Sequence, residues 1–205
     1  MNYETIPSQE AVAKTAAAMK ERNINAIVVQ NKAEALDKIK ALIPAGASVM
    51  NGSSTSLIEI GYVDYLKSGS HPWNNLHAPI VAEKDPKKQM ELRRAAIFAD
   101  YFLGSVHAIT AEGELVTASA SGSQIAPYAN TAKNVIWVAS TNKIVPTIDA
   151  ALTRIKEYVF PLEDARMKKT GAAGSVIAKI LINEREPAFS GRTVTMILVN
   201  EKLGF

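Results

Sequence analysis

A run of six residues, Asn51-Gly52-Ser53-Ser54-Thr55-Ser56, sets a glycine and four consecutive hydroxyl side chains between an apolar β-type segment and an apolar helical one. Glycine lets the backbone come close to a ligand, and hydroxyls donate hydrogen bonds. The start of a helix adds unpaired N–H groups and positive potential. The chemistry these features share is the holding of a phosphate or carboxylate. The run is not a Walker loop, because no Gly-Lys-Ser/Thr element is present, and it is not a GxGxxG turn. Hydroxyl residues are also the commonest helix caps, so simple capping is the competing reading. Glu59, in the first helical turn, either complements the helix dipole or serves as a general base at the rim of a pocket.

A second stretch begins Gly104-Ser105-Val106-His107, passes an Ala111-Glu112-Gly113 turn and ends in Ser119-Ala120-Ser121-Gly122-Ser123-Gln124. It reads as a strand, a hairpin turn, a strand, and another Ser/Gly loop that opens a short helix. Two such loops on one sheet edge would make one anion pocket. His107 is the sharpest acid–base candidate, weighed against a hydrogen-bonded histidine on a strand. Glu112 is a further candidate, weighed against a solvated turn residue. Lys143 follows a buried-type strand and so stands at another strand's carboxyl end, well placed for ligand charge. Arg166, Lys168 and Lys169 form a basic cluster, read as a solvated face or as a flap over an anion. His71 and His77 lie in a loop with Trp73; they lack the spacing of a helical metal pair, so no metal is predicted. Trp73 either lids the pocket or packs against the sheet.

These residues need a scaffold, and apolar periodicity supplies one. Helical spacing is read over residues 9–22, 32–43, 57–67, 87–99, 123–131 and 146–160, and β-type runs over 26–29, 48–50, 101–103, 135–139 and 193–199. Strand–helix–strand alternation implies a mostly parallel sheet with helices packed on it, a three-layer α/β domain. Residues 68–79 read as a loop, and 161–192 as the least regular region. The whole chain, 1–205, is expected to be one domain, with about the first 45 residues a small N-terminal helical portion and 46–205 the core. The last strand is expected at a sheet edge, where it would allow a homo-oligomer.

Composition narrows the partners. A net charge of +3 from scattered basic residues is no footprint for nucleic acid, and is compatible with a small anionic ligand. The sequence contains no cysteine, which excludes a cysteine-ligated cluster within this chain; no other cofactor is indicated. No apolar stretch approaches a membrane span and no signal peptide is read, so the expected compartment is the cytoplasm.

Four stretches together resemble the LUD-domain (lactate-utilisation) family: NGSSTSLIEIG from Asn51, GSVHAITAEGELVTASASGSQIAP from Gly104, VIWVASTNKIVPTIDAAL from Val135, and TMILVNEKLGF from Thr195. The resemblance lies in order and spacing. It implies a fold of the ribose-phosphate isomerase/CoA-transferase (NagB/RpiA) type, with sites built at strand carboxyl ends. It also implies a role beside iron–sulfur or oxidoreductase partner proteins in the oxidation of lactate. Some short relatives are cysteine-rich after the segment corresponding to Ala165-Arg166; here that stretch has no thiol, so cluster chemistry would belong to a partner. The alternatives are a stand-alone isomerase or transferase acting on a sugar phosphate or acyl-CoA, and a non-catalytic ligand sensor.

Overall fold

Side-chain caps set the first two helices. Ser8 accepts from the Ala11 amide to start α1 (Gln9–Glu21), whose buried Val12, Thr15, Ala16 and Met19 follow helical spacing. Asn31 does the same for α2 (Lys32–Leu42), which buries Ala35 and Ile39. Between them runs β1 (Asn25–Val29). The computed structural model describes residues 2–205; Met1 lies outside them.

After β2 (Ser48–Asn51), the single helix expected over 57–67 is two short ones, α3 (Thr55–Glu59) and α4 (Tyr62–Lys67). Gly61 divides them at φ +79°, a left-handed conformation that breaks the helical path. The stretch expected as a loop contains a short strand, β3 (Asn74–Asn75), and the start of α5 (His77–Ala82). Then follow α6 (Pro86–Ala95), β4 (Tyr101–Gly104), the hairpin of β5 (Ala108–Thr110) and β6 (Leu115–Ser119), and a π-type turn, Pro127–Thr131. The seven-residue β7 (Asn134–Ser140) leads to β8 (Ile144–Val145).

The helix expected to stop at residue 160 continues. α7 (Ile148–Arg154) passes through a π-type turn, Ile155–Val159, into α8 (Phe160–Lys169). Pro161 lacks an N–H and its ring crowds the carbonyl four residues back, which suggests a stop in the sequence. The widened turn immediately before it absorbs both defects, so the helix carries on. The region read as irregular also holds β9 (Lys179–Asn183), before the last strand, β10 (Thr193–Val199).

Six strands form the central sheet in the order β1-β10-β7-β4-β2-β3, every pair parallel. Its pleat sorts the core into two layers. Met196, Leu198, Val135 and Trp137 face α1 and Ile80 of α5. Ile197, Val199, Ile136 and Val138 face Ala35 and Ile39 of α2, Leu57 of α3, and Tyr62 and Leu66 of α4. The expected three-layer α/β fold is therefore present. Residues near the N-terminus contribute more than helices, since β1 is a strand of this sheet.

Two placements correct the sequence reading. The last strand is not at an edge: β10 lies between β1 and β7, because six of its seven residues are buried and need neighbours on both sides. The hairpin does not join the central sheet. It forms a second, four-stranded sheet, β8-β5-β6-β9, in which β5–β6 and β6–β9 are antiparallel. One face of this small sheet, Ala108, Val116 and Val145, is covered by Ala151 and Ile155 of the long helix. The other, Ile109 and Leu115, joins the core under α1. Among the described residues, no helix is long and apolar enough to cross a membrane.

Candidate functional site

The carboxyl ends of β2, β4 and β6, and the turn after β7, open into one cavity of about 520 Å³. Its floor is made by Ser53, Ser54, Thr55 and Ser56, by Ser105, Val106 and His107, by Ser119, Ser121, Ser123 and Gln124, and by Lys143. Its roof is the long helix, through Ile155, Val159, Phe160, Glu163, Arg166 and Met167, with residues 173–177 and Phe205 closing one side. Loops far apart in sequence thus line one cavity, at strand carboxyl ends.

Two of these loops, those of Ser56 and of Ser105, meet at one atom. β7 ends at Ser140, whose hydroxyl accepts from the Asn142 amide (3.3 Å) and tightens a single 3₁₀ turn, Thr141–Lys143. That turn buries the Lys143 side chain, leaving the residue 2% exposed. Its Nζ donates to Ser105 Oγ (3.1 Å), to the Val106 carbonyl (3.1 Å) and to Ser56 Oγ (3.4 Å). All three partners are neutral. Burial, and then the Arg154 guanidinium, lower the Lys143 pKa to about 7, while Glu59 pulls it the other way. Lysine was read as one of several ligand-binding residues; here it is the centre.

His107 lines the cavity but is held in the second sheet by its backbone. Its amide donates to the Val116 carbonyl (2.9 Å) and its own carbonyl accepts from Arg154 Nη1. The ring Nδ1 accepts from the Ala118 amide (3.1 Å), so in the neutral ring the proton sits on Nε2. Burial and the nearby Lys143 and Arg154 charges push its pKa down to about 3. At neutral pH His107 is therefore a hydrogen-bond donor toward the cavity, and it is a poor general base.

Arg154 was not singled out in the sequence. It is fully buried, and its guanidinium lies over the rings of Tyr3 (5.6 Å) and Tyr158 (5.1 Å).

Several expected ligand contacts have structural duties instead. An ideal Cβ on Gly104 would fall 1.6 Å from the Tyr128 hydroxyl, so this glycine admits Tyr128 to the core. A Cβ on Gly52 would lie 2.9 Å from Gln124 Oε1, and Gln124 Nε2 in turn donates to the Ala118 carbonyl (3.2 Å); glycine lets two floor loops touch. The amides of the third loop are used internally. Gly122 N–H donates to Ser119 Oγ (3.0 Å) and Ser123 N–H to Ser121 Oγ (3.2 Å). Ser54 Oγ caps the Leu57 amide (3.3 Å) of a helix only five residues long. The positive charge of the site therefore comes from a side chain, Lys143, and not from converging helix N-termini. Asn51 is buried, and with Gly52, Ser53, Ser54, His77 and Arg93 it borders a second cavity of about 320 Å³ on the far side of the first loop.

Neither glutamate candidate lines the main cavity. Glu59 is exposed and accepts from the Gly204 amide (2.9 Å), which anchors the segment that brings Phe205 to the cavity. Glu112 sits in the hairpin turn, where its carbonyl accepts from Arg22 Nε (2.6 Å) and its carboxylate lies 3.8 Å from Lys14; it docks the turn on α1. The carboxylate that does line the cavity is Glu163, clamped by Arg166 through two 2.7 Å bonds. Of the basic cluster, Arg166 is in the cavity wall and Lys168 pairs with Asp164 (2.6 Å). Asp164 also accepts from the Ser175 amide (2.8 Å), fixing the loop beside the cavity. Trp73 is no lid: its Nε1 donates to the Ile43 carbonyl (3.1 Å) and its ring packs with Tyr62 and Tyr65.

The crystal structure of a DUF162 family protein from Deinococcus radiodurans is similar in fold, with a TM-score of 0.54 at 15% identity, over 94% of this chain and 99% of that one. The crystal structure of eIF2B delta from Chaetomium thermophilum overlaps at a TM-score of 0.36 and 17% identity, over 59% of this chain and 50% of that one. No curated protein matches the chain. The family model of the LUD domain matches residues 12–199. The chain belongs to the LUD-domain family.

Proposed function

We propose that this chain binds a small organic anion, of the hydroxy- or oxo-carboxylate type, in the cavity around Lys143, and that it serves organic-acid utilisation beside redox partner proteins. The observation that carries the reading is a buried lysine whose three hydrogen-bond partners are all neutral. A buried ammonium with no carboxylate in hydrogen-bond contact is unfavourable, and an anion arriving at a few ångströms relieves it. Ser53 and His107 line the same space and add hydrogen-bonding side chains. Family membership supports the link to lactate-type substrates. With no cysteine in these 205 residues, cluster-borne electron transfer falls to a partner.

The isomerase or transferase alternative has less to stand on. Glu59 and Glu112 lie outside the cavity wall, and Glu163 is neutralised by Arg166, so among the described residues no free carboxylate faces the cavity as nucleophile or base.

The test is a thermal-shift panel of lactate, pyruvate, sugar phosphates, nucleotides and CoA esters, repeated on Lys143→Met. A hydroxy or oxo acid is expected to raise the melting temperature, the shift vanishing in the variant. Because an anion favours the ammonium, binding takes up a proton above pH 7, and affinity is expected to weaken as pH rises from about 7. Equal shifts in wild type and Lys143→Met, or none with any compound, would overturn the reading.

A further inference from the structure

We propose that Lys143 is also a nucleophile, and that the occupant of its cavity is a small carboxylate carrying a ketone or aldehyde, captured as an imine on Nζ. The proposal rests on the anion-binding reading and goes beyond it by fixing the functional group of the ligand and the bond it forms.

The geometry suits carbonyl capture. The stem of Lys143 is buried and its amine is tethered at three points, so Nζ is held in the cavity floor. Ser56 Oγ and Ser105 Oγ both contact Nζ and stand 3.4 Å from each other. A hydroxyl accepts one proton while giving another, so this pair can carry a proton away from the amine as it adds. His107, neutral and protonated on Nε2, supplies a donor for the carbonyl oxygen. The charged groups acting on Lys143 are Arg154, which disfavours the ammonium, and Glu59, which favours it. The first prevails together with burial, so a substantial share of the amine is free at neutral pH without a dedicated base.

The step balances without an oxidant. The Nζ lone pair adds to the carbonyl carbon, and the C=O π pair moves to oxygen. That oxygen takes up the proton which nitrogen loses, through the serine pair, giving a carbinolamine. The nitrogen lone pair then expels the hydroxyl, which leaves as water with the second proton that nitrogen gives up, again through the serine pair, and a neutral C=N bond remains. Protonated, the imine keeps the positive charge of the lysine, so the adjacent carboxylate still finds its counter-charge. An anion site and a nucleophile thus coexist at one atom.

The experiment is reductive trapping. The full chain is incubated at pH 7 with pyruvate and sodium cyanoborohydride, then digested and mapped by mass spectrometry, with the urea-unfolded chain as reference. One carboxyethyl group is expected on Lys143, formed at least roughly tenfold faster than on any exposed lysine, because an ordinary lysine is almost wholly protonated at that pH. Excess lactate, which has the carboxylate but no carbonyl, is expected to slow labelling of Lys143 and to leave the exposed lysines unaffected. Lys143→Arg is expected to lose the adduct; should that variant fail to fold, lactate protection of the wild type makes the same distinction. Adducts scattered over exposed lysines, at rates matching the unfolded chain, would overturn the proposal. Pyruvate that raises the melting temperature yet leaves Lys143 unmodified would sink the imine and leave the anion site standing. Neither a shift nor an adduct would remove both.

Discussion

At the residue scale, the site owes its character to two bases kept from protons. Both Lys143 and His107 have folded pKa values below their unfolded ones, so each favours the native state most at pH values above its unfolded pKa. For His107 the contribution is full above about 6.5 and is lost as pH falls toward about 3. For Lys143 it falls away as pH drops from about 10.5 through about 7, so the ligand-free protein is expected to gain stability between pH 7 and 10. Urea midpoints measured over that range should rise for the wild type and stay flatter for Lys143→Met. Gly104 offers a second residue-scale test. A methyl placed on it collides with Tyr128, a fully buried side chain. Gly104→Ala is expected to cost about 1–3 kcal/mol through overpacking. In a Tyr128→Phe background the cost should be smaller, because the hydroxyl is the nearest atom.

At the scale of elements, the π-type turn Pro127–Thr131 is held by one side chain. Arg192 donates to the carbonyls of Pro127, Tyr128, Ala129 and Ala132 and to the buried Glu186 carboxylate, every bond between 2.9 and 3.0 Å. Both partners of the ion pair are nearly inaccessible, with side-chain exposures of 7% and 4%. Removing one partner of a buried pair leaves the other charge uncompensated, so Arg192→Met is expected to cost about 3–5 kcal/mol in denaturant titrations. Since the same turn positions Tyr128 over Gly104, next to Ser105, the ligand-induced thermal shift should fall in parallel. Asp164 secures the roof in a similar way, through Lys168 and the Ser175 amide. Asp164→Ala is expected to speed hydrogen exchange at residues 174–177 while sparing the central sheet.

At the scale of the molecule, the parallel sheet gathers its carboxyl-end loops on one rim, and the second sheet carries His107 and Ser119 to the same rim from another direction. An occupant that touches both sheets and the long helix binds only the native chain. At a hundredfold excess over its dissociation constant it adds about 2.7 kcal/mol. For a chain of this size that is a rise of roughly 5–11 °C, from about 2–4 °C per kcal/mol. Calorimetry with and without the anion checks the figure. A shift confined to part of the transition would mean that the two sheets unfold separately.

Apolar periodicity in the sequence was sufficient for the parallel three-layer core, because runs such as residues 135–139 and 193–199 have no stable place except between other strands. The hydroxyl- and glycine-rich loops were legible as the rim at strand carboxyl ends, but capping and ligand binding draw on the same hydroxyls, and Ser54 is in fact spent as a cap. What the sequence could not carry was which polar group each loop would spend on its own backbone. The amides of Gly122 and Ser123 turn inward, Gly104 makes room for a tyrosine, and the helix survives Pro161 through a wide turn. A lysine's desolvation, an arginine's aromatic cage and a histidine's tautomer depend on atoms distant in the chain, so only the tertiary structure placed Lys143 at the centre.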